Sequence, residues 1–264
     1  MSMITSNSNP KVKWVRNLQA NRRERWRKKQ FVMEGVRLAQ EIIDAGIQTE
    51  LVFHTDQLNA RGRGQVNQLA RLGAEVHLVS DSVMVACSDT ENPPGLLMVV
   101  PFQEVPVPAK MTLSLVVDRI ADPGNLGTMI RTAWAAGVEA LFLTKGCVDP
   151  YNPKVVRAAA GAHLRLPILQ ATPEKILERL SGMEIWLAEK GAGSAYSEVE
   201  WQGPSAVIIG SEAHGVRNEL RSQVDKRVHI PLHEEVESLN AAIAAGIILF
   251  EIVRQREATW KSVH

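Results

Sequence analysis

The spacing of apolar residues changes repeatedly along the chain, and each change marks an element. Phe31-Val32-Met33-Glu34-Gly35 is a short apolar run ending at glycine, and it predicts a strand. Apolar residues then fall at 36, 38, 39, 42 and 43, a helical spacing that Gly46 terminates. A strand at 50–54, a helix at 56–72 ended by Gly73, a strand at 75–79, a short helix capped by Asp81 and a strand at 95–100 complete a β/α alternation. Ahead of it, Pro10 to Lys29 reads as one or two basic helices, and residues 1–9 are small, polar and expected to fray.

A second alternation follows. Strands are predicted at 112–118, 139–143, 184–189, 206–210 and 227–230, and helices at 125–136, 153–160, 173–181, 215–223 and 239–255. Several of these strands are continuous apolar runs, as expected of a parallel sheet covered on both faces. The last helix is apolar nearly all round and belongs in a core or an interface. Between the two alternations, PFQEVPVPAK (101–110) carries three prolines and reads as a linker. The fold class is therefore α/β, with a small N-terminal domain over 1–105 and a parallel-sheet domain over 106–264.

Composition narrows the function. The 264 residues are 45% hydrophobic and 22% charged, ordinary for a soluble globular protein. No apolar run approaches the roughly 20 residues that span a bilayer, and no secretory h-region opens the chain, so no membrane association is expected. Cys87 and Cys147 stand far apart with no CxxC, which fits a reducing cytoplasm and suggests neither disulfide nor metal. The net charge of +1 conceals a block. Lys11, Lys13, Arg16, Arg22, Arg23, Arg25, Arg27, Lys28 and Lys29 face one acid, Glu24, making the segment about +8 and the remainder about −7. Such a block points to a polyanion, although a solvated helix face is the plain alternative. Trp14 and Trp26 lie within it, as stacking platforms for unpaired bases or as core anchors.

Three loops of the second domain could carry chemistry. Asp118 to Arg131 runs from a strand end into a helix N-terminus, where free N–H groups favour anions. Asn125 there is a polar group for a pocket or a helix cap, and Arg131 a pocket cation or a surface residue. Ile209-Gly210-Ser211-Glu212-Ala213-His214-Gly215 ends a strand at glycine, where a ligand can approach the backbone. Glu212 is a catalytic acid or a favourable first-turn charge. His229 to Asn240 ends a strand at Pro231 and offers Ser238 as the cap of the last helix. His229 and His233 are separated by Pro231 and make no helical metal pair. There is no GxGxxG, no GxxxxGK[ST] and no GxSxG.

Taken in order, NLGTMIRTA, IIGSEAHG and IPLHEEVESLNAAIAAGI resemble the three signature motifs of the SPOUT-class TrmH family of RNA ribose methyltransferases. The likeness covers roughly residues 112–256, and the N-terminal part is similar to the ribosomal-protein-type RNA-binding domain found in the rRNA-directed, thiostrepton-resistance-like members. This resemblance implies a trefoil knot in the C-terminal domain, S-adenosylmethionine as cofactor and a homodimer whose active site draws on both chains. It implies cofactor contacts at Gly210, Ile230 and Leu239, and a catalytic set of Arg131, Asn125, Glu212, Ser238 and Asn240. The acceptor would be a ribose 2′-hydroxyl of structured RNA, rRNA ahead of tRNA, with no metal. Arg131 would bind a phosphate and stabilise the developing alkoxide, since a guanidinium rarely gives up its proton. The segment His233-Glu-Glu-Val-Glu237 departs from the pattern, because many members are less acidic there. A non-enzymatic RNA-binding or ribosome-assembly protein on the same fold, a tRNA-directed enzyme and a base methyltransferase are the competing readings.

Overall fold

A computed structural model describes residues 3–263, with side chains through Glu257. The chain forms two compact units. One holds residues 1–104 together with 151–165, and the other holds 105–150 and 166–264.

In the first unit the basic block folds as two helices, α1 (Pro10–Ala20) and α2 (Arg22–Lys28). Asn21 divides them: its backbone is extended and its side chain caps α2 by accepting from Arg23 N at 2.9 Å. Then come β1 (Gln30–Glu34), α3 (Val36–Asp44), β2 (Leu51–His54), α4 (Ala60–Arg71), β3 (Glu75–Leu78), α5 (Asp81–Cys87) and β4 (Leu96–Pro101). Helix α4 starts four residues later than expected because Asn59 caps it through Gly62 N. Ser80, rather than Asp81, caps α5.

The sheet runs β1-β4-β2-β3, antiparallel except for β2 against β3. Strand period two sorts its side chains into two cores. Phe31, Met33, Val52, Met98 and Val100 pack with Leu38, Ile42 and Leu69 from α3 and α4. Val32, Leu51, Phe53, Leu97 and Val99 pack with Val12, Val15 and Met84 from α1 and α5. Residue Ile4 is tied down rather than frayed: its N–H donates to Leu78 O at 2.9 Å and its carbonyl accepts from Ser80 N at 3.0 Å.

The second unit contains β5 (Leu113–Val117), α6 (Pro123–Ala135) and β6 (Ala140–Leu143). The chain then contributes α7 (Pro153–Ala159) and a 3-10 turn at 162–164 to the first unit. Sequence alone assigned this helix to the second domain. Tyr151, Val156 and Leu164 instead complete the first core beside Phe31 and Leu38. Arg165 pairs with Glu41, and Arg157 with Asp89.

The second unit resumes with β7 (Ile168–Gln170), α8 (Pro173–Arg179), β8 (Glu184–Ala188), β9 (Ser194–Ala195), β10 (Ser205–Ile209), α9 (Asn218–Arg221), β11 (Lys226–His229) and α10 (Ala241–Val263). Its parallel sheet has the order β7-β6-β5-β10-β8-β11-β9. The central strands β5 and β10 are buried at every position, as their runs, apolar but for Ser114 and Ser205, lead one to expect. On one face Val116, Phe142 and Ile208 pack with Ile176 and Leu180 at α8. Helix α10 packs against α6. Among the described residues, no helix is long and apolar enough to cross a membrane.

Candidate active site

The parallel sheet sends its C-terminal strand ends to one place. The loops that follow β8, β10 and β11, with the start of α10, enclose a cavity of about 280 Å³. This is where open parallel sheets place ligands. Gly210, Ile230 and Leu239 all line it, and so do Glu212 and Ser238. The remaining wall is largely apolar, with Leu187, Val228 and Ile248 among its residues, while Glu189, Lys190, Arg221 and Glu237 supply charge.

Gly210 has a second role that the sequence did not indicate. A Cβ there would sit 2.4 Å from Gly215 C and 2.5 Å from Val216 N. Glycine lets the loop fold back on its own backbone, where Ser211 and Gly215 form a bridge.

Asn125, Glu212 and Asn240 form a continuous polar chain across the three segments that follow β5, β10 and β11. Asn240 Nδ2 donates to Asn125 Oδ1 at 2.8 Å, and Asn125 Nδ2 donates to Glu212 Oε1 at 3.3 Å. The same Glu212 oxygen accepts from Ala241 N at 2.7 Å. Helix α10 is capped by Asn240, which accepts from Ala242 N at 3.0 Å and Ile243 N at 3.2 Å. Ser238, expected in that role, lies upstream of the helix start and lines the cavity. Asn125 itself follows Asp122, whose carboxylate caps α6 through Asn125 N at 2.7 Å.

Arg131 stands apart. It is exposed on α6, lines no part of the cavity, and has no hydrogen-bond or ion-pair partner among the described residues. The six residues from Asn125 place it about 9 Å farther along the helix axis.

The basic block divides by use. Lys13, Arg16, Arg22, Arg23 and Lys28 are exposed and unpaired among the described residues. Lys11 pairs with Glu75 at 2.9 Å, and Lys29 with Glu104 at 3.5 Å. Arg27 grips Glu24 through two hydrogen bonds, which hold the Glu24 carboxyl below its usual range. Arg25, expected to contact RNA, is only 3% exposed. Its Nη1 donates to the carbonyls of Leu18 and Gln19 at 2.7 and 3.0 Å, closing the end of α1. Both tryptophans are used in packing. Trp14 sits on the α1 core, and Trp26 meets Phe102 and Tyr151 edge-on at 5.4 and 5.8 Å.

Two features escaped the sequence reading. Lys190 Nζ donates to Val236 O at 2.7 Å, fastening the acidic 233–237 segment at the cavity mouth. Asp118, the polar residue that ends an otherwise apolar strand, is fully buried between Arg217 and Arg119. An acid directly after an apolar strand run was the available signal.

Comparison with known proteins matches residues 112–250 to the SpoU rRNA Methylase family and residues 9–98 to an MRM3-like substrate binding domain. A tRNA/rRNA methyltransferase of Synechocystis, itself uncharacterised, is 35% identical over 98% of this chain and 96% of its own. The Bacillus subtilis 23S rRNA (guanosine(2553)-2′-O)-methyltransferase RlmP is 30% identical over 96% of this chain and 99% of its own. The crystal structure of an AdoMet-bound rRNA methyltransferase from Sinorhizobium meliloti matches with a TM-score of 0.85 and 28% identity, over 96% of this chain and 97% of that one.

Proposed function

The chain belongs to the SpoU rRNA methylase family, and on that footing we propose that it transfers a methyl group from S-adenosylmethionine to a ribose 2′-hydroxyl of ribosomal RNA. The observation that carries the reading is the convergence of the loops after β8, β10 and β11 on one cavity, in a fold shared along nearly its whole length with an AdoMet-bound relative.

The residues present fit such a group. The cavity has apolar walls for an adenosine, loop backbone for directional contacts, and carboxylates at Glu212 and Glu237 compatible with a positively charged sulfur. Gly210, Ile230 and Leu239 would hold it. When bound, S-adenosylmethionine supplies an electrophilic methyl on a sulfonium. The protein's own task is to align a ribose oxygen with that methyl and to ease loss of the hydroxyl proton. Ser238, exposed at the cavity wall, would orient the ribose. The Asn240–Asn125–Glu212 chain holds the segments after β5, β10 and β11 in register, so Glu212 acts here as a tether. Arg131 would bind the adjacent phosphate and stabilise the alkoxide as the proton leaves.

The position of Arg131 outside its own chain's cavity supports a homodimer in which it serves the partner's site. Trp134, Ile243 and Phe250, large apolar residues 43%, 54% and 47% exposed on α6 and α10, support the same assembly. A trefoil knot in this domain belongs to the same reading, as the family implies. Lys13, Arg16, Arg22, Arg23 and Lys28 would steer the RNA. A cytoplasmic setting, where two free buried thiols persist, belongs to this reading.

The test is incubation with labelled S-adenosylmethionine and rRNA, followed by nuclease digestion. Label in nuclease-resistant dinucleotides is the expected result. Label on a base would overturn ribose as acceptor. Failure of the chain to bind S-adenosylmethionine in calorimetry would favour an RNA-binding protein without catalysis.

A further inference from the structure

We propose that Asp118, Arg119 and Arg217 form an electrostatic latch that positions the 211–217 loop for the cofactor, and so serve as positioning residues in methyl transfer. The proposal rests on the cavity being the cofactor site.

The loop needs an external hold. Ala213, His214 and Gly215 are exposed, and the loop's own regular structure is a single bridge between Ser211 and Gly215. Yet Gly210, Ser211, Glu212, Gly215 and Val216 all face the cavity. A wall with so little apolar burial of its own is drawn from the low-stability end of a structure unless something fixes it.

Glu212 ties one end of the loop to Asn125 and Ala241, and the hold on the rest comes from the neighbouring strand. Asp118 directly follows β5 and has no exposure to solvent. Its Oδ1 accepts from Arg217 Nε at 2.6 Å and from the Thr144 hydroxyl. Its Oδ2 accepts from Arg217 N at 2.7 Å and faces Arg119 Nε at 3.3 Å. The carboxylate thus fixes both the backbone and the side chain of the residue that ends the loop. Arg217 Nη2 adds bonds to Thr144 Oγ1 at 3.0 Å and to the Lys145 carbonyl. Arg119 then holds the middle of the loop: its Nη2 donates to His214 O and Gly215 O, each at 3.2 Å.

Arg119 adopts a left-handed backbone, φ 57°, a conformation uncommon for any residue but glycine. Such a conformation persists where its surroundings hold it, and at functional sites. Here it lets two consecutive residues, Asp118 and Arg119, engage two different parts of one loop. A buried charge with this many partners has a single low-energy arrangement, so the loop inherits one too.

Weakening the latch should lower the fraction of time the loop spends in its binding arrangement, and cofactor affinity should fall by that fraction. Arg119→Met removes both loop bonds while keeping the buried Asp118–Arg217 pair, so folding is preserved. Full-length wild type, Arg119→Met, Arg119→Lys and Asp118→Asn are compared by amide hydrogen exchange, S-adenosylmethionine calorimetry and steady-state kinetics on rRNA. Arg119→Met is expected to raise exchange at 214–217 and the Kd and KM for S-adenosylmethionine about tenfold, with kcat within about threefold. Arg119→Lys should recover most of this, and Asp118→Asn should move the same quantities farther. Unchanged loop exchange in both Arg119→Met and Asp118→Asn overturns the latch, as does a loss of kcat with KM unmoved. A wild-type chain that binds no S-adenosylmethionine overturns the cofactor reading instead.

Discussion

Arginines and lysines have opposite uses in the two units. On α1 and α2, five cations project into solvent with no partner among the described residues. Around Asp118, two arginines are anchored to a buried carboxylate and to loop carbonyls. The first arrangement suits a polyanion whose position is set by many weak, screened contacts. The second suits a geometry that must be held to within a fraction of an ångström. Dense charge on these helices is thus left to solvent, while isolated charges beside apolar strands are spent inside the fold. Arg25 crosses between the groups: it lies in the dense block and does the fixed kind of work.

This contrast is tested most severely at its buried end. Asp118→Ala leaves two guanidiniums without their counter-charge, and breaking a buried pair costs about 3–5 kcal/mol. Thermal unfolding should show a large drop in midpoint, and an unchanged midpoint would mean the charge is not structurally fixed. Next is Arg131→Ala, expected to slow methyl transfer by roughly 100- to 1,000-fold, the usual scale for removing a donor to developing negative charge. Calorimetry should find S-adenosylmethionine affinity nearly intact; a loss of affinity alone would refute the assigned role.

Arg25→Ala should lower stability by about 2 kcal/mol, because its charged hydrogen bonds to two α1 carbonyls disappear. The salt dependence of RNA binding should not move with it. The smallest effect on the fold comes from neutralising Lys13, Arg16, Arg22, Arg23 and Lys28 together. Unfolding should change little, while the slope of log affinity against log salt should flatten by up to about 0.7–0.9 for each RNA phosphate that is no longer neutralised. A slope that stays constant would remove this face from the RNA-binding surface.

Period and composition made most of the fold legible. The alternation that sorts Phe31 and Met33 from Val32, and the largely apolar runs of β5 and β10, are visible without coordinates. What was missed is short or non-local. Strands β7 and β9 have three and two residues, too few to display a period, and the helix expected at 215–223 is only the four residues of α9. The caps were displaced where two good capping residues stand near each other, as with Ser80 beside Asp81 and Ser238 near Asn240. Nothing local distinguishes such pairs; the three-dimensional path of the chain does. In the site, motif order brought Gly210, Ile230 and Leu239 to one cavity, and Asn125, Glu212 and Asn240 to one hydrogen-bonded chain. Arg25 was misjudged because its burial depends on the corner at Asn21, which folds α2 back on the end of α1.

The excursion at 151–165 limits how this protein can be taken apart. Its proline-rich connector invites a cut near residue 105. A fragment beginning there would carry Tyr151, Val156 and Leu164 with nothing to cover them, and would leave the other fragment with a hole where they belong. The halves are therefore not interchangeable cassettes. A chimera that swaps the first unit between relatives needs three crossovers, one at the connector and one on each side of the excursion.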